Sequence, residues 1–156
     1  MSHVDPDTFK DALAHWAAGV AVVACRTDDR VVATTISAFM SLSVEPPQVL
    51  LALGPNATVR PFLTAGARFG VSILAGAQRR LASVFADPFP VGPDPFASSG
   101  DPVIADALVR LACVVTHVSD GGSHAVVTAT VESAHVGPGA DPLVRFGRAY
   151  HRLHRP

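Results

Sequence analysis

The chain has little charge, few cysteines and none of the common catalytic signatures, and each shortage closes off a class of function. Charged residues make up 16% of the 156, and the formal net charge is −1. So balanced a chain has no basic footprint for a phosphate backbone, and nucleic acid is not expected as a partner. No apolar run reaches bilayer length, so no membrane association is expected. The N-terminus shows neither the basic nor the apolar region of a signal peptide, and a cytoplasmic location is the expectation. The two cysteines, Cys25 and Cys113, lie inside apolar runs and form no Cys-x-x-Cys pair, so they read as small buried hydrophobes. Gly-x-Ser-x-Gly, His-Glu-x-x-His, the Walker loop and the Gly-x-Gly-x-x-Gly of a Rossmann turn are all missing. His151 and His154 stand three apart, but in a polar tail that reads as solvated, and no metal site is expected.

What is present is an apolar chain, 49% hydrophobic, large enough for a single domain over residues 1–156 with a substantial core. Such an apolar excess on a small domain suggests surface buried against a second subunit. Asp5-Pro6 predicts an N-cap, and Phe9, Leu13, Trp16 and Ala17 share one helical face, with Gly19 as the stop. Strands are predicted over Val20–Cys25, Val31–Ile36, Gln48–Leu53, Phe69–Leu74, Leu108–Val118, His124–Val136 and Leu143–Tyr150. Short helices are predicted from a Thr58 cap through Leu63 and over Gln78–Phe85. Residues 87–102, with Pro88, Pro90, Pro93, Pro95 and Pro102, predict an irregular loop, either a lid or an excursion. Sequential strands with tight turns favour an antiparallel barrel with a few short flanking helices.

One segment is unusual for a strand that only packs. Thr34, Thr35, Ser37, Ser41 and Ser43 place five hydroxyls within ten residues before Pro46-Pro47. With the backbone they offer many donors to one acceptor-rich, partly anionic ligand. Asn56 and Thr58 open the predicted helix after the third strand, a position suited to phosphate. Arg79 and Arg80 add fixed positive charge at the start of the next helix. Such a set suits an isoalloxazine-like ring at its polar edge and a phosphate at its other end.

These residues resemble the flavin reductase-like family with its FMN-binding split barrel, which includes the reductase components of two-component flavin monooxygenases. Trp16–Val23 resembles the family's opening, a helix that ends in Gly-Val and enters a Val-rich strand. Thr35-Ile36-Ser37-Ala38-Phe39 with Ser41, Ser43, Pro46 and Pro47 is similar to its Thr-x-Ser-Ser-Phe-x-Ser-x-Ser-x-x-Pro-Pro signature. Phe69–Leu74 with Gln78, Leu81 and Phe85, then Gly122-Ser123-His124, then Pro142-Leu143 through Tyr150, resemble three further segments in the family's order. Three positions depart from the pattern: Ala38 for Ser, Ser72 for Asn, and Ser123 for the Asp that would orient His124.

The resemblance implies a mainly β antiparallel split barrel that transfers hydride from NADH or NADPH to FMN or FAD. It implies a flavin ring against Thr34, Thr35, Ile36 and Ser37, with Ser41 and Asn56 as further contacts, and phosphates held by Thr58, Arg79 and Arg80. It implies His124 as the catalytic-side residue facing the nicotinamide, a homodimer, and a partner monooxygenase that receives the reduced flavin. A flavin-binding split barrel that is not a reductase is the alternative, motivated by Ser123. A barrel for another planar ligand, such as haem or pyridoxal phosphate, is a third reading.

Overall fold

A computed structural model of the chain describes residues 2–153. It contains two helices, α1 (Pro6–Leu13) and α2 (Arg79–Ala86). Its strands are β1 (Ala18–Gly19), β2 (Ala21–Arg26), β3 (Val31–Ile36), β4 (Phe39–Ser43), β5 (Gln48–Leu53), β6 (Arg68–Ile73), β7 (Val109–Gly121), β8 (His124–Val136), β9 (Leu143–Phe146) and β10 (Ala149–Arg152).

Seven strands form one antiparallel sheet in the order β3-β2-β6-β7-β8-β5-β4. The order carries the architecture. β3 and β4 are neighbours in the chain, separated only by Ser37 and Ala38, yet they occupy opposite edges of the sheet. Three Cα steps span at most about 11 Å, so the sheet must roll until its two edges meet at that link. The edges meet without pairing: Ala38 instead accepts a hydrogen bond at its carbonyl from the Ala52 amide (3.0 Å). The result is the expected split barrel, with the hydroxyl-rich segment running across the split.

Alternation along the strands builds two cores. Val23, Cys25, Val32, Ile36, Leu51, Leu53, Phe69, Val71, Cys113 and Val127 fill the barrel. Val20, Val22, Ala24 and Ala33 face outward and are covered by Ala82 and Phe85 of α2, by Ile104 and Ala107, and by Leu143. β2 is therefore buried on both faces, which explains its unbroken apolar run. Both cysteines are buried free thiols, and burial pushes Cys25 up to about 11 and Cys113 up to about 12.

The outer core is closed by a strap, residues 96–104, that is fastened rather than loose. Arg26 donates to the carbonyls of Ala97 (2.7 Å) and Gly100 (3.4 Å). Arg68 holds Asp101 through two nitrogens (3.0 and 3.3 Å) and Glu132 on β8 at 2.6 Å. The Ile104 amide donates to Ser72 Oγ at 2.9 Å. Gly70 lets the strap come this close, because a Cβ there would lie 2.4 Å from the Pro102 carbonyl oxygen.

Four sequence expectations change. α1 ends at Leu13 rather than Trp16, because Ala18 and Gly19 pair with Arg145 and Val144 and pull the chain into a small sheet, β1-β9-β10. β4 was not foreseen: its serines masked a strand that pairs with β5. The predicted last strand is two, reversed at Gly147 and Arg148, both with positive φ. Thr58 caps no helix, since only a single 3-10 turn follows at Arg60–Phe62 and no side chain caps it. The Asp5 cap is formed as expected, accepting from the amides of Asp7 and Thr8. His154 lies outside the described residues.

Candidate functional site

The split exposes the free edge of β3, and the register dictates what that edge offers. Ala33 accepts a hydrogen bond from the Thr58 hydroxyl at its carbonyl (2.7 Å), so its backbone points away from β2. In an antiparallel pair this direction alternates, so the backbone groups of Thr35 point the same way. The side chains here are already engaged. Thr58 spends its single hydroxyl proton on Ala33, so Thr34 must donate to Thr58 Oγ1 at 2.8 Å. Thr34 Oγ1 in turn accepts from the Val59 amide at 3.4 Å. The chain Val59 N–H, Thr34, Thr58, Ala33 C=O fastens the 54–59 loop to the sheet edge. Thr35 points to the opposite face and donates to the Ala82 carbonyl of α2 at 2.8 Å.

Four of the predicted contacts therefore present something other than a free hydroxyl. Thr34 and Thr58 bond each other, Thr35 bonds α2, and Ile36 is buried in the barrel core. Ser37 and Ser41 are exposed, and their hydroxyls make no hydrogen bond within the described residues, as is also true of the Asn56 side chain. What the split presents is backbone donors and acceptors at Ala33 and Thr35, flanked by the hydroxyls of Ser37 and Ser41.

The 54–60 loop also reaches the β7–β8 hairpin. The Arg60 guanidinium donates to the Ser123 carbonyl at 3.2 Å. A Cβ on Gly54 would lie 3.4 Å from His124 Nε2, so the ring rests against a glycine. Ser123 Oγ lies 3.0 Å from His124 Nδ1, and the hydroxyl thus takes the orienting position where the family pattern has a carboxylate. One loop so brings together Thr34 on β3, Asn56, Thr58 and His124 on β8, which stand far apart in sequence. Arg60 was missed because nothing in its local pattern marks it; its partner lies 63 residues away.

Arg79 and Arg80 open α2, are exposed, and make no ion pair among the described residues. Beside them Gln78 is buried: its Oε1 accepts from the Ala75 amide (2.9 Å), while its Nε2 has no acceptor. Two cavities flank β3. One, of about 430 Å³, lies between Val31, Ala33 and Thr58, the Phe85 ring of α2, and the Pro88–Val91 segment. The other, of about 240 Å³, is lined by Thr35, Ser37, Ala86, Arg145 and Tyr150, with the Arg145 guanidinium 5.2 Å from the Tyr150 ring centre. A free β edge, apolar walls, unpaired guanidinium groups and an orphaned amide donor fit a flat, acceptor-rich ligand with an anionic tail. That is the chemistry of a flavin nucleotide.

The fold and site thus describe a split-barrel protein built around one edge strand. A family model described as "Flavin reductase like domain" matches residues 13–154, and the chain belongs to that family. It is 37% identical over 147 residues to the reductase component of 4-hydroxyphenylacetate 3-monooxygenase from Thermus thermophilus, covering 94% of this chain and 96% of that protein. It is 31% identical to an FMN reductase (NADH), RutF, from Stutzerimonas stutzeri, covering 94% and 88%. Among solved structures, the Streptomyces globisporus NADH:FAD oxidoreductase SgcE6 superposes with a TM-score of 0.88 at 27% identity, covering 100% of this chain and 99% of that one.

Proposed function

We propose that this chain reduces FMN or FAD with NADH or NADPH and supplies the reduced flavin to a separate monooxygenase. The observation that carries the proposal is the open β3 edge, whose outward backbone at Ala33 and Thr35 shares one loop with His124. The family and the relatives' names support the reaction; the names favour NADH as donor.

A bound flavin supplies the hydride acceptor, so the protein needs no nucleophile of its own. Its part is to bind, orient and exclude water. The amides of Ala33 and Thr35 would hold the ring's polar edge and stabilise negative charge there, and Ser37 and Ser41 would add hydroxyls. Asn56, Arg79 and Arg80 would meet the phosphate end, and Gln78 Nε2 would there gain the acceptor it lacks within the described residues. Thr34 and Thr58 act by holding the loop rather than by touching the ligand. His124, steadied by Ser123, would face the nicotinamide and help to orient it.

The chain acts as one domain and as a homodimer. α1 buries none of its residues, and Phe9, Leu13 and Trp16 stay exposed, as do Met40, Leu42 and Val44 of the 39–44 segment. A second copy would cover these faces. No helix among the described residues is long and apolar enough to cross a membrane, and a cytoplasmic site of action fits a donor of that compartment.

Oxidation of NADH or NADPH, followed at 340 nm with FMN or FAD added, tests the reading. Flavin-dependent turnover is the expected result; binding of flavin without turnover by either nucleotide would instead establish the non-reductase alternative. The Ser123–His124 contact favours the reductase, because the imidazole keeps an oriented partner.

A further inference from the structure

On the outer face of the sheet, away from β3, one arginine stands in a groove without a partner. Arg110 lies on β7, directly across from His135 of β8, and Ala112 lies across from Ser133. Directly opposed residues share a face, so Arg110, His135 and Ser133 project on the same side. With Asp101 and Val103 of the strap they line a cavity of about 310 Å³. Arg110 Nε is buried and meets no acceptor, and its guanidinium makes no ion pair or hydrogen bond among the described residues. A buried guanidinium nitrogen without an acceptor is costly, and native proteins rarely leave one.

The nearby carboxylates do not relieve it. Asp101 is held by two nitrogens of Arg68, and Glu132 is bound by the same guanidinium at 2.6 Å. These contacts raise the Arg68 pKa and tie up both acids. Arg26 meanwhile pins the strap by its carbonyls. Two carboxylates and the guanidinium groups of Arg26 and Arg68 cancel, so Arg110 is the uncompensated charge. The wall of the groove is fixed by the same bonds, so the cavity exists before any ligand arrives.

We infer that this groove is a binding site for a small oxyanion, a carboxylate or a phosphate, held by the Arg110 fork with Ser133 and His135 beside it. The planar fork matches two oxygens of either anion. The site is separate from the β3 edge, and the inference does not depend on flavin binding.

The test is a titration of the full chain with inorganic phosphate and, separately, acetate, at constant ionic strength set with potassium chloride. NMR shifts of the Arg110 side chain and of the Ser133 and His135 amides report occupancy. Saturable shifts at millimolar anion are expected, and whichever anion saturates first identifies the ligand's chemistry. Arg110→Met should weaken binding at least about tenfold, the loss of one charge-assisted contact. Arg110→Lys should recover part of it, since it keeps the charge without the fork. Shifts that grow linearly with both anions, or identical titrations in wild type and Arg110→Met, would overturn the inference. If Arg110→Met fails to fold, Ser133→Ala together with His135→Ala serves in its place, with weaker binding expected and unchanged binding contradicting it.

Discussion

Replacing Thr58 by Val tests the hydroxyl chain that closes the barrel edge. Valine keeps the shape and removes only the group that donates to Ala33 C=O (2.7 Å) and accepts from Thr34 (2.8 Å). Each bond is worth about 1 kcal/mol net, and stranding the Ala33 carbonyl adds to the loss, because that residue is buried. The expected cost is about 2–3 kcal/mol, read from urea unfolding. Thr34→Val should cost about 1–2 kcal/mol, since its proton goes only to Thr58 and its acceptor bond is the long one from Val59. Because one hydrogen bond is counted in both single variants, the double variant should lose about 1 kcal/mol less than their sum. Additivity within about 0.3 kcal/mol would mean that the two threonines do not share a bond, and the reasoning about donor direction would fail.

Other outcomes follow from the same geometry. Gly70→Ala forces a methyl to 2.4 Å from the Pro102 carbonyl, so it should cost about 1–3 kcal/mol and expose the strap to protease; an unchanged urea midpoint with an intact strap would contradict this. Ser123→Ala removes the hydroxyl 3.0 Å from His124 Nδ1, and KM for NADH should rise about fivefold with flavin affinity unchanged; equal loss of both would misplace His124. Burial lifts the thiols from 9.0 to about 11 at Cys25 and about 12 at Cys113. Between pH 9 and those values the unfolded chain has released protons that the folded chain keeps, so stability should fall as pH rises, with no thiol contribution below that window. Urea midpoints of wild type and of Cys25→Ala with Cys113→Ala, compared at pH 8 and pH 10, check this: the wild type should lose more, and parallel losses would contradict it.

The barrel was legible because its strands carry their burial in their composition: β2, β5, β6 and the apolar halves of β7 and β8 read directly as strands. The signature at 35–47 and the order of segments identified the family. What stayed hidden depends on pairings between distant residues. β4 looks polar because it lies at the split, where only β5 supports it. α1 was over-extended because β9 competes for Ala18 and Gly19. The hydroxyls of Thr34, Thr35 and Thr58 read as ligand donors, while their partners turned out to lie within the fold, at residues 24 to 47 positions away. With those hydroxyls engaged inside the fold, the proposed recognition element is the backbone of β3, and no residue type advertises a backbone edge. Arg60 and Arg110 are silent in the sequence for the same reason: the first finds its acceptor on a remote hairpin, and the second is conspicuous only because no partner meets it.

The central claim is that flavin binds along the β3 edge exposed at the split. Adding FMN to isotope-labelled protein and following backbone amide shifts tests it most directly. The largest changes are expected at Ala33, Thr35 and Ser37, with a second group at Asn56–Thr58 and at Gln78–Arg80. Shifts confined to the far side of the barrel, with the Ala33 and Thr35 amides unmoved at saturating FMN, would contradict it.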